Sequence, residues 1–283
     1  MQLENNNIRR IVEQALREDI GLGDITSEAT IPEDKSSRAS IAVKENCIIS
    51  GIDISQLVYS IIDPDLSFRK KVENGSLISK NSEIVFLEGK TKNILLGERV
   101  ALNFLQRLSG VATLTHKFVH AVSNTKAKIT DTRKTTPGLR FLEKAAVVDG
   151  GGVNHRFGLD NMILIKDNHI TAIGGVKNAI NEISKSLHQK KINVPIEIEV
   201  ESLEQLEEVM LIGNVNRIML DNFSIDDMRT AVLMITGKYE VEASGGINLE
   251  NVREIAETGV DFISVGALTH SFNSIDISLE VLT

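Results

Sequence analysis

A chain of 283 residues, 42% hydrophobic and 25% charged, has apolar material for one large or two medium globular domains; its formal charge of −8 excludes the broad basic surface that nucleic-acid binding requires. No run approaches the ~18–20 apolar residues that span a bilayer, and MQLENNNIRR is not expected to act as a secretory signal. Cys47 is the only cysteine, which excludes an intramolecular disulfide and a thiolate metal cluster and makes a reducing cytoplasm the expected location.

Ile8, Ile11, Val12, Ala15 and Leu16 recur at helical spacing and predict an amphipathic first helix that stops near Gly21-Leu22-Gly23, with Asp24 or Thr26 as cap chemistry. From Arg38 to Gly89 the pattern changes. Ser40 to Val43, Cys47 to Ile49, Phe68 to Val72 and Glu83 to Leu87 read as strands of a small, mainly antiparallel sheet, with a helix over Ile54 to Ile62 between them. A long helical stretch follows from Thr91 to Asn124. Ser109-Gly110 is expected to end one helix and begin another, and the domain boundary is placed near there: 1–112 as the first domain, 113–270 as the second, with the tail 271–283 available to pack with the first.

The remainder alternates strand and helix. Strands are predicted at Lys128 to Asp131, Met162 to Lys166, Ile196 to Val200, Arg217 to Asp221, Glu240 to Ala243 and Phe262 to Val265. Helices are predicted at Val176 to Leu187, Leu203 to Leu211, Ile225 to Ile235 and Leu249 to Glu257. Such alternation implies parallel βαβ units, and the absence of a dinucleotide fingerprint favours a barrel over an open sheet. The run Ala145 to Val148 fits either a helix end or a further strand.

Each predicted barrel strand ends in residues suited to chemistry. They are Thr132 running into Arg133 and Lys134, Lys166 followed by His169, Glu199, Asp221, then Ser244-Gly245-Gly246, and finally Gly266. Catalytic groups of α/β barrels sit at the carboxyl ends of the strands, so these residues are expected to converge. Arg133, Lys134, His155, Arg156 and Lys166 together suit a small, multiply anionic substrate, because guanidinium groups pair with carboxylate and phosphate in a two-pronged geometry. The glycines of ASGGIN and Gly266 suit phosphate, since main-chain N–H groups can approach an anion there. Two ordinary turns are the plainer alternative. Glu199 and Asp221 suit shared Mg²⁺ or ion pairs with nearby cations equally well. Glu197, Glu199 and Glu201 share one strand face, and spacing alone does not choose between Glu199 and Glu201 at its end. Lys166 suits anion pairing, a Schiff base or a solvated strand terminus.

These residues lie in strings that resemble the quinolinate phosphoribosyltransferase family essentially end to end. The strings are REDIGLGDITSEAT, GERVALNFLQRLSGVAT, DTRKTTPGLR, GGGVNHRFGLDNMILIKDNH, EIEVESLEQ, IMLDNF, ASGGIN and VGALTHS. The resemblance implies an N-terminal α/β sandwich and a C-terminal, incomplete α/β barrel of parallel strands. It also implies a reaction: quinolinate and phosphoribosyl pyrophosphate give nicotinate mononucleotide, carbon dioxide and pyrophosphate, on the route to NAD. Carried over, Arg133, His155, Arg156 and Lys166 would hold the quinolinate dicarboxylate, while Lys134 and Lys166 would reach phosphoribosyl pyrophosphate. Glu199 and Asp221 would hold Mg²⁺ and the ribose side. Ser244, Gly245, Gly246 and Gly266 would take the 5-phosphate, with His270 nearby. Arg107 would enter the site of a neighbouring subunit, so a homodimer with shared sites is the implied minimum assembly. The competing readings are a Lys166 Schiff-base aldolase, a non-catalytic phosphosugar-binding protein, and a phosphoribosyltransferase for nicotinate, against which the paired cations weigh.

Overall fold

The computed structural model describes residues 2–282. In chain order the elements are α1 (Gln2–Ile20), α2 (Ile25–Thr30), β1 (Ser36–Val43), β2 (Cys47–Ile48), α3 (Ile52–Ile62), β3 (Ser67–Lys70), β4 (Leu77–Ile78), β5 (Glu83–Lys90), α4 (Thr91–Ala121), β6 (Lys128–Thr130) and α5 (Arg140–Asp149). The chain continues with β7 (Ile163–Ile165), α6 (Asp167–Ile173), α7 (Val176–Lys190), β8 (Ile196–Val200), α8 (Leu203–Ile212), β9 (Arg217–Asp221), α9 (Ile225–Ile235), β10 (Glu240–Ser244), α10 (Val252–Glu257), β11 (Phe262–Ser264), α11 (Ala267–His270) and β12 (Ile277–Leu282).

Two compact units form. The first comprises 1–116, 135–151 and 268–283, and the second 117–134 and 152–267. The segments 135–151 and 268–283 belong with the first unit.

The first unit is built on an antiparallel sheet in the order β12-β1-β5-β3, with the ribbon β2-β4 beside it. Alternation puts Ala39, Ile41 and Val43 of β1 and Val85 and Leu87 of β5 in the core. Val12 and Leu16 of α1, Val58 and Tyr59 of α3, and Ile94, Leu105 and Leu108 of α4 are buried as well. Asp24 caps α2 as expected, its side chain accepting the N–H groups of Thr26 and Ser27 at 3.1 and 3.0 Å. The expected break at Ser109-Gly110 does not occur, because α4 runs unbroken through both residues. Ser109 is buried and its Oγ accepts the Ser50 N–H at 3.1 Å, while a Cβ at Gly110 would lie 2.4 Å from the Asn273 carbonyl oxygen. The small residues admit neighbouring chain and do not end the helix. The ambiguous run 145–148 is helical, within α5.

The second unit is a six-stranded parallel sheet in the order β6-β11-β10-β9-β8-β7. All six strands expected from the sequence are present. β6 and β7 are its edges, so this is an incomplete barrel, with one further bridge from Thr130 to Val153. Ile198, Val200, Ile218, Leu220, Val241 and Ala243 are buried. The residues alternating with them on β8, β9 and β10 are Glu197, Glu199, Arg217, Met219, Asp221, Glu242 and Ser244, so the opposite face is polar. Among the described residues no helix is long and apolar enough to cross a membrane.

Candidate active site

The strand ends of the second unit surround a cavity of about 280 Å³. Thr132, Arg133 and Lys134 reach it from the end of β6, Lys166 from β7, Glu199 from β8, Asp221 from β9 and Ser244 from β10. His155 and Arg156 line it from the loop before β7. Leu164, Met219 and Ser264 complete its lower wall, together with Glu242, which the sequence reading did not single out.

Local hydrogen bonds fix the strand ends. Thr132 Oγ1 accepts the Lys134 N–H at 3.0 Å, which turns the chain out of β6. His169 Nδ1 accepts the Lys166 N–H at 3.0 Å, and the Lys166 carbonyl accepts the His169 N–H at 2.8 Å, closing a reciprocal cap on α6. That gives His169 a supporting role at the base of Lys166. Asn222 sits at φ +55°, donates its N–H to the Ser244 carbonyl at 3.0 Å, and donates its side-chain amide to Asp221 Oδ2 at 2.9 Å. The ends of β9 and β10 are thereby tied together.

The electrostatics divide by depth. At the mouth, Lys166 Nζ lies 2.8 Å from Glu199 Oε2; the lysine is about half exposed and the carboxylate is buried. Burial lowers the Arg156 pKa, the Arg133 charge lowers it further, and the Glu197 carboxylate opposes both. A guanidinium stays charged through such a shift. Beneath the mouth, Glu197 and Glu242 are fully buried. Burial raises both carboxyl pKa values and Arg217 pulls both back; for Glu242 the Glu197 charge adds to the rise.

His155 lines the cavity, yet both ring nitrogens face protein. Nδ1 accepts the Arg156 N–H at 2.8 Å, and Nε2 lies 3.0 Å from Glu197 Oε2 and 3.5 Å from Glu242 Oε1. Of the three glutamates on the β8 face, Glu197 and Glu199 are buried, whereas Glu201 is exposed and its N–H is accepted by the Gln205 side chain at 2.8 Å. Depth therefore selects Glu199 over Glu201 at the strand end. Glu242 was discoverable in principle, because it alternates with buried Val241 and Ala243.

Gly245 and Gly246 follow β10 with φ of +92° and +60°, and Gly266 follows β11. Arg107 and His270 belong to the first unit. There Arg107 bonds through Nη2 to Glu143 Oε1 at 2.6 Å, also reaches Thr136 Oγ1, and stacks over Phe272 at 4.9 Å. It edges a groove of about 460 Å³ between α1 and α4 side chains, closed by Pro137 to Leu139. That groove is larger than the cavity of the second unit, but Arg107 is its one cation among the described residues, whereas the smaller cavity gathers Arg133, Lys134, Arg156 and Lys166. His270 Nδ1 is 2.7 Å from Ser271 Oγ.

Comparison with known proteins places the chain among named relatives. Residues 24–109 match the family model for the quinolinate phosphoribosyl transferase N-terminal domain, and residues 111–280 match that for the C-terminal domain. Quinolinate phosphoribosyltransferase [decarboxylating] 1b of Nicotiana tabacum is 41% identical over 98% of this chain and 83% of its own length. A probable nicotinate-nucleotide pyrophosphorylase [carboxylating] of Bacillus subtilis is 42% identical over 97% of this chain and 93% of its own. The solved nicotinate-nucleotide pyrophosphorylase of Francisella tularensis superposes with a TM-score of 0.93 at 40% identity, covering 98% of this chain and 97% of that one.

Proposed function

Because the chain belongs to the quinolinate phosphoribosyltransferase family, we propose that the cavity at the carboxyl ends of β6 to β11 is its catalytic site. The activity is phosphoribosyl transfer from phosphoribosyl pyrophosphate to quinolinate with decarboxylation, which gives nicotinate mononucleotide, carbon dioxide and pyrophosphate and leads to NAD. One observation supports the site assignment above all: Arg133, Lys134, Arg156 and Lys166 gather over Glu199 and Asp221 around one small cavity.

Arg133, Arg156 and Lys166 hold the dicarboxylate of quinolinate, and His155 shapes that wall. Lys134 and Lys166 reach phosphoribosyl pyrophosphate beside Thr132. Ser244, Gly245, Gly246 and Gly266 receive the 5-phosphate. Breaking the bond to pyrophosphate builds positive charge on the ribose, which the Glu199 and Asp221 carboxylates stabilise. Once ribosylated, the pyridine nitrogen is itself cationic and stabilises the carbanion left at C2 when the carboxylate departs as carbon dioxide; a proton from solvent then fills C2. A lysine imine is not needed, and the close Lys166–Glu199 ion pair favours the anion-pairing role for Lys166. Gripping the departing carboxylate tightly would oppose its loss, since only interactions strengthened in the transition state accelerate a step.

Glu199 and Asp221 fit Mg²⁺ by the chemistry of their donors: both offer carboxylate oxygens at the ends of adjacent strands, and both line the cavity. When bound, the ion would take up charge of the pyrophosphate leaving group. We further propose a homodimer in which Arg107 serves the neighbouring subunit, and a cytoplasmic location, supported by the single buried thiol of Cys47.

The test is to incubate the chain with Mg²⁺, quinolinate and phosphoribosyl pyrophosphate and to measure carbon dioxide and nicotinate mononucleotide together. Arg107→Ala and Lys166→Ala should each nearly abolish turnover, and mixing the two variants should restore part of it. No recovery after demonstrated subunit exchange would sink the shared site.

A further inference from the structure

Glu197 and Glu242, two buried acids of the set beneath the cavity, are not used by the chemistry above. Glu197, Glu242 and His155 come from β8, β10 and the loop before β7, and their ligating atoms lie within 4.8 Å of one another. Arg217 secures the set from the opposite side. Its Nη1 donates to Glu242 Oε2 at 2.9 Å, its Nη2 to Glu240 Oε2 at 2.9 Å, and its guanidinium stacks on Phe262 at 3.8 Å. The His155 backbone N–H donates to Asp131 Oδ1 at 2.9 Å. Because His155 Nδ1 accepts the Arg156 N–H, the neutral ring carries its proton on Nε2, which lies 3.0 Å from Glu197 Oε2 and 3.5 Å from Glu242 Oε1 in an electrostatic contact that is not aligned as a hydrogen bond. Arg156 is thus held at both ends: its backbone by His155 Nδ1, and its guanidinium by the Met162 carbonyl, to which Nη1 donates at 3.0 Å.

We propose that Glu197 and Glu242 are positioning residues for quinolinate, which hold His155 by its Nε2 edge and so fix the backbone from which Arg156 reaches the substrate. The inference rests on the assignment of this cavity to quinolinate. Both acids act through His155 and Arg156, on the wall assigned to quinolinate, so their effect falls on one substrate. A part of the core with only a structural role would not discriminate between the two.

The experiment uses the full chain and its isosteric variants Glu242→Gln and Glu197→Gln, with KM measured for each substrate in the complete Mg²⁺ assay. KM for quinolinate should rise about tenfold or more, the order expected when a buried polar contact is lost. KM for phosphoribosyl pyrophosphate should change by less than about threefold on the same reasoning. Ring-¹⁵N spectra of the unsubstituted chain should place the His155 proton on Nε2. A parallel rise in both KM values, an unchanged quinolinate KM in a folded variant, or a proton on Nδ1 would each overturn the proposal. So would a stoichiometric divalent ion, retained through dialysis and lost in Glu242→Gln, since it would make the trio a metal site. Absence of product from the unsubstituted chain would instead sink the functional assignment itself.

Discussion

Gly245 and Gly246 separate two reasons for glycine in the turn after β10. Both have positive φ, +92° and +60°. A Cβ at Gly246 would meet nothing within 4 Å, but one at Gly245 would fall 2.2 Å from Asn222 Oδ1 and 3.0 Å from the Asn222 backbone nitrogen. Gly246→Ala should therefore cost only the left-handed backbone strain of an L-residue, about 1–2 kcal/mol. Gly245→Ala adds displacement of the Asn222 amide. That breaks its 2.9 Å bond to Asp221 Oδ2, a further loss of about 0.5–1.5 kcal/mol, and the backbone nitrogen must yield as well. Urea unfolding midpoints, converted with a common slope, should rank Gly245→Ala below Gly246→Ala by about 1 kcal/mol or more. Because Asp221 loses the group that orients it, kcat/KM for phosphoribosyl pyrophosphate should also fall further in Gly245→Ala. Equal unfolding midpoints for the two variants, or a worse result for Gly246→Ala, would refute the argument from close approach.

Two further outcomes follow from buried titratable groups of the first unit. Burial pushes the Cys47 thiol up to about 11, with Glu45 adding to the effect. At pH 8 the thiolate is scarce, so a thiol reagent should modify the native chain only at the rate at which it opens; fast stoichiometric labelling in native buffer would contradict this. Burial also raises the Asp149 carboxyl pKa, against the lowering effect of the Ser50 hydroxyl that donates to it at 2.6 Å. The folded chain then holds that proton more tightly than the unfolded chain. The contribution is fully present below the ordinary carboxylate range and is lost as pH rises through the raised value. Relative to Asp149→Asn, the unsubstituted chain should lose stability as pH is raised from about 4 to 7. Urea midpoints that move in the opposite sense would show the sign to be wrong.

The sequence disclosed those parts of the molecule where a residue's environment is set by its immediate neighbours. β8 reads Ile-Glu-Ile-Glu-Val, and alternation alone places Ile198 and Val200 on one face and Glu197 and Glu199 on the other. The strand ends were legible for the same reason, and with them Lys166, Glu199, Asp221 and Ser244. β12 was missed because its last residues are exposed and its pairing is with β1, far away in sequence. α6 was missed because none of its residues is buried, so it shows no apolar stripe; its start is set by the Lys166–His169 cap. Ser109-Gly110 was misread because serine and glycine disfavour a helix interior by propensity, and the compensating close approach of Asn273 comes from the other end of the chain.

The least legible feature is the one on which the polar interior depends. Register places Arg217 beside both Glu197 and Glu240, and Glu242 beside Met219. No local pattern announces that these charges meet, because each strand separately reads as an ordinary alternating segment. Burying two carboxylates is costly unless they are paired and hydrogen-bonded. The structure supplies Arg217 on one side and His155 on the other, and both partners are needed for the same reason. Replacing Arg217 by a neutral residue of similar length, such as Arg217→Met, would strip Glu197 and Glu242 of the cation between their strands and leave them His155 and the Arg156 charge. The loss, about 3–5 kcal/mol for a broken buried ion pair, should exceed that of Glu242→Gln, which removes one of the two opposed charges along with one partner of Arg217. If Arg217→Met proves the milder substitution by urea unfolding, the acids do not depend on Arg217 for their burial, and the cavity floor is held by packing rather than by charge.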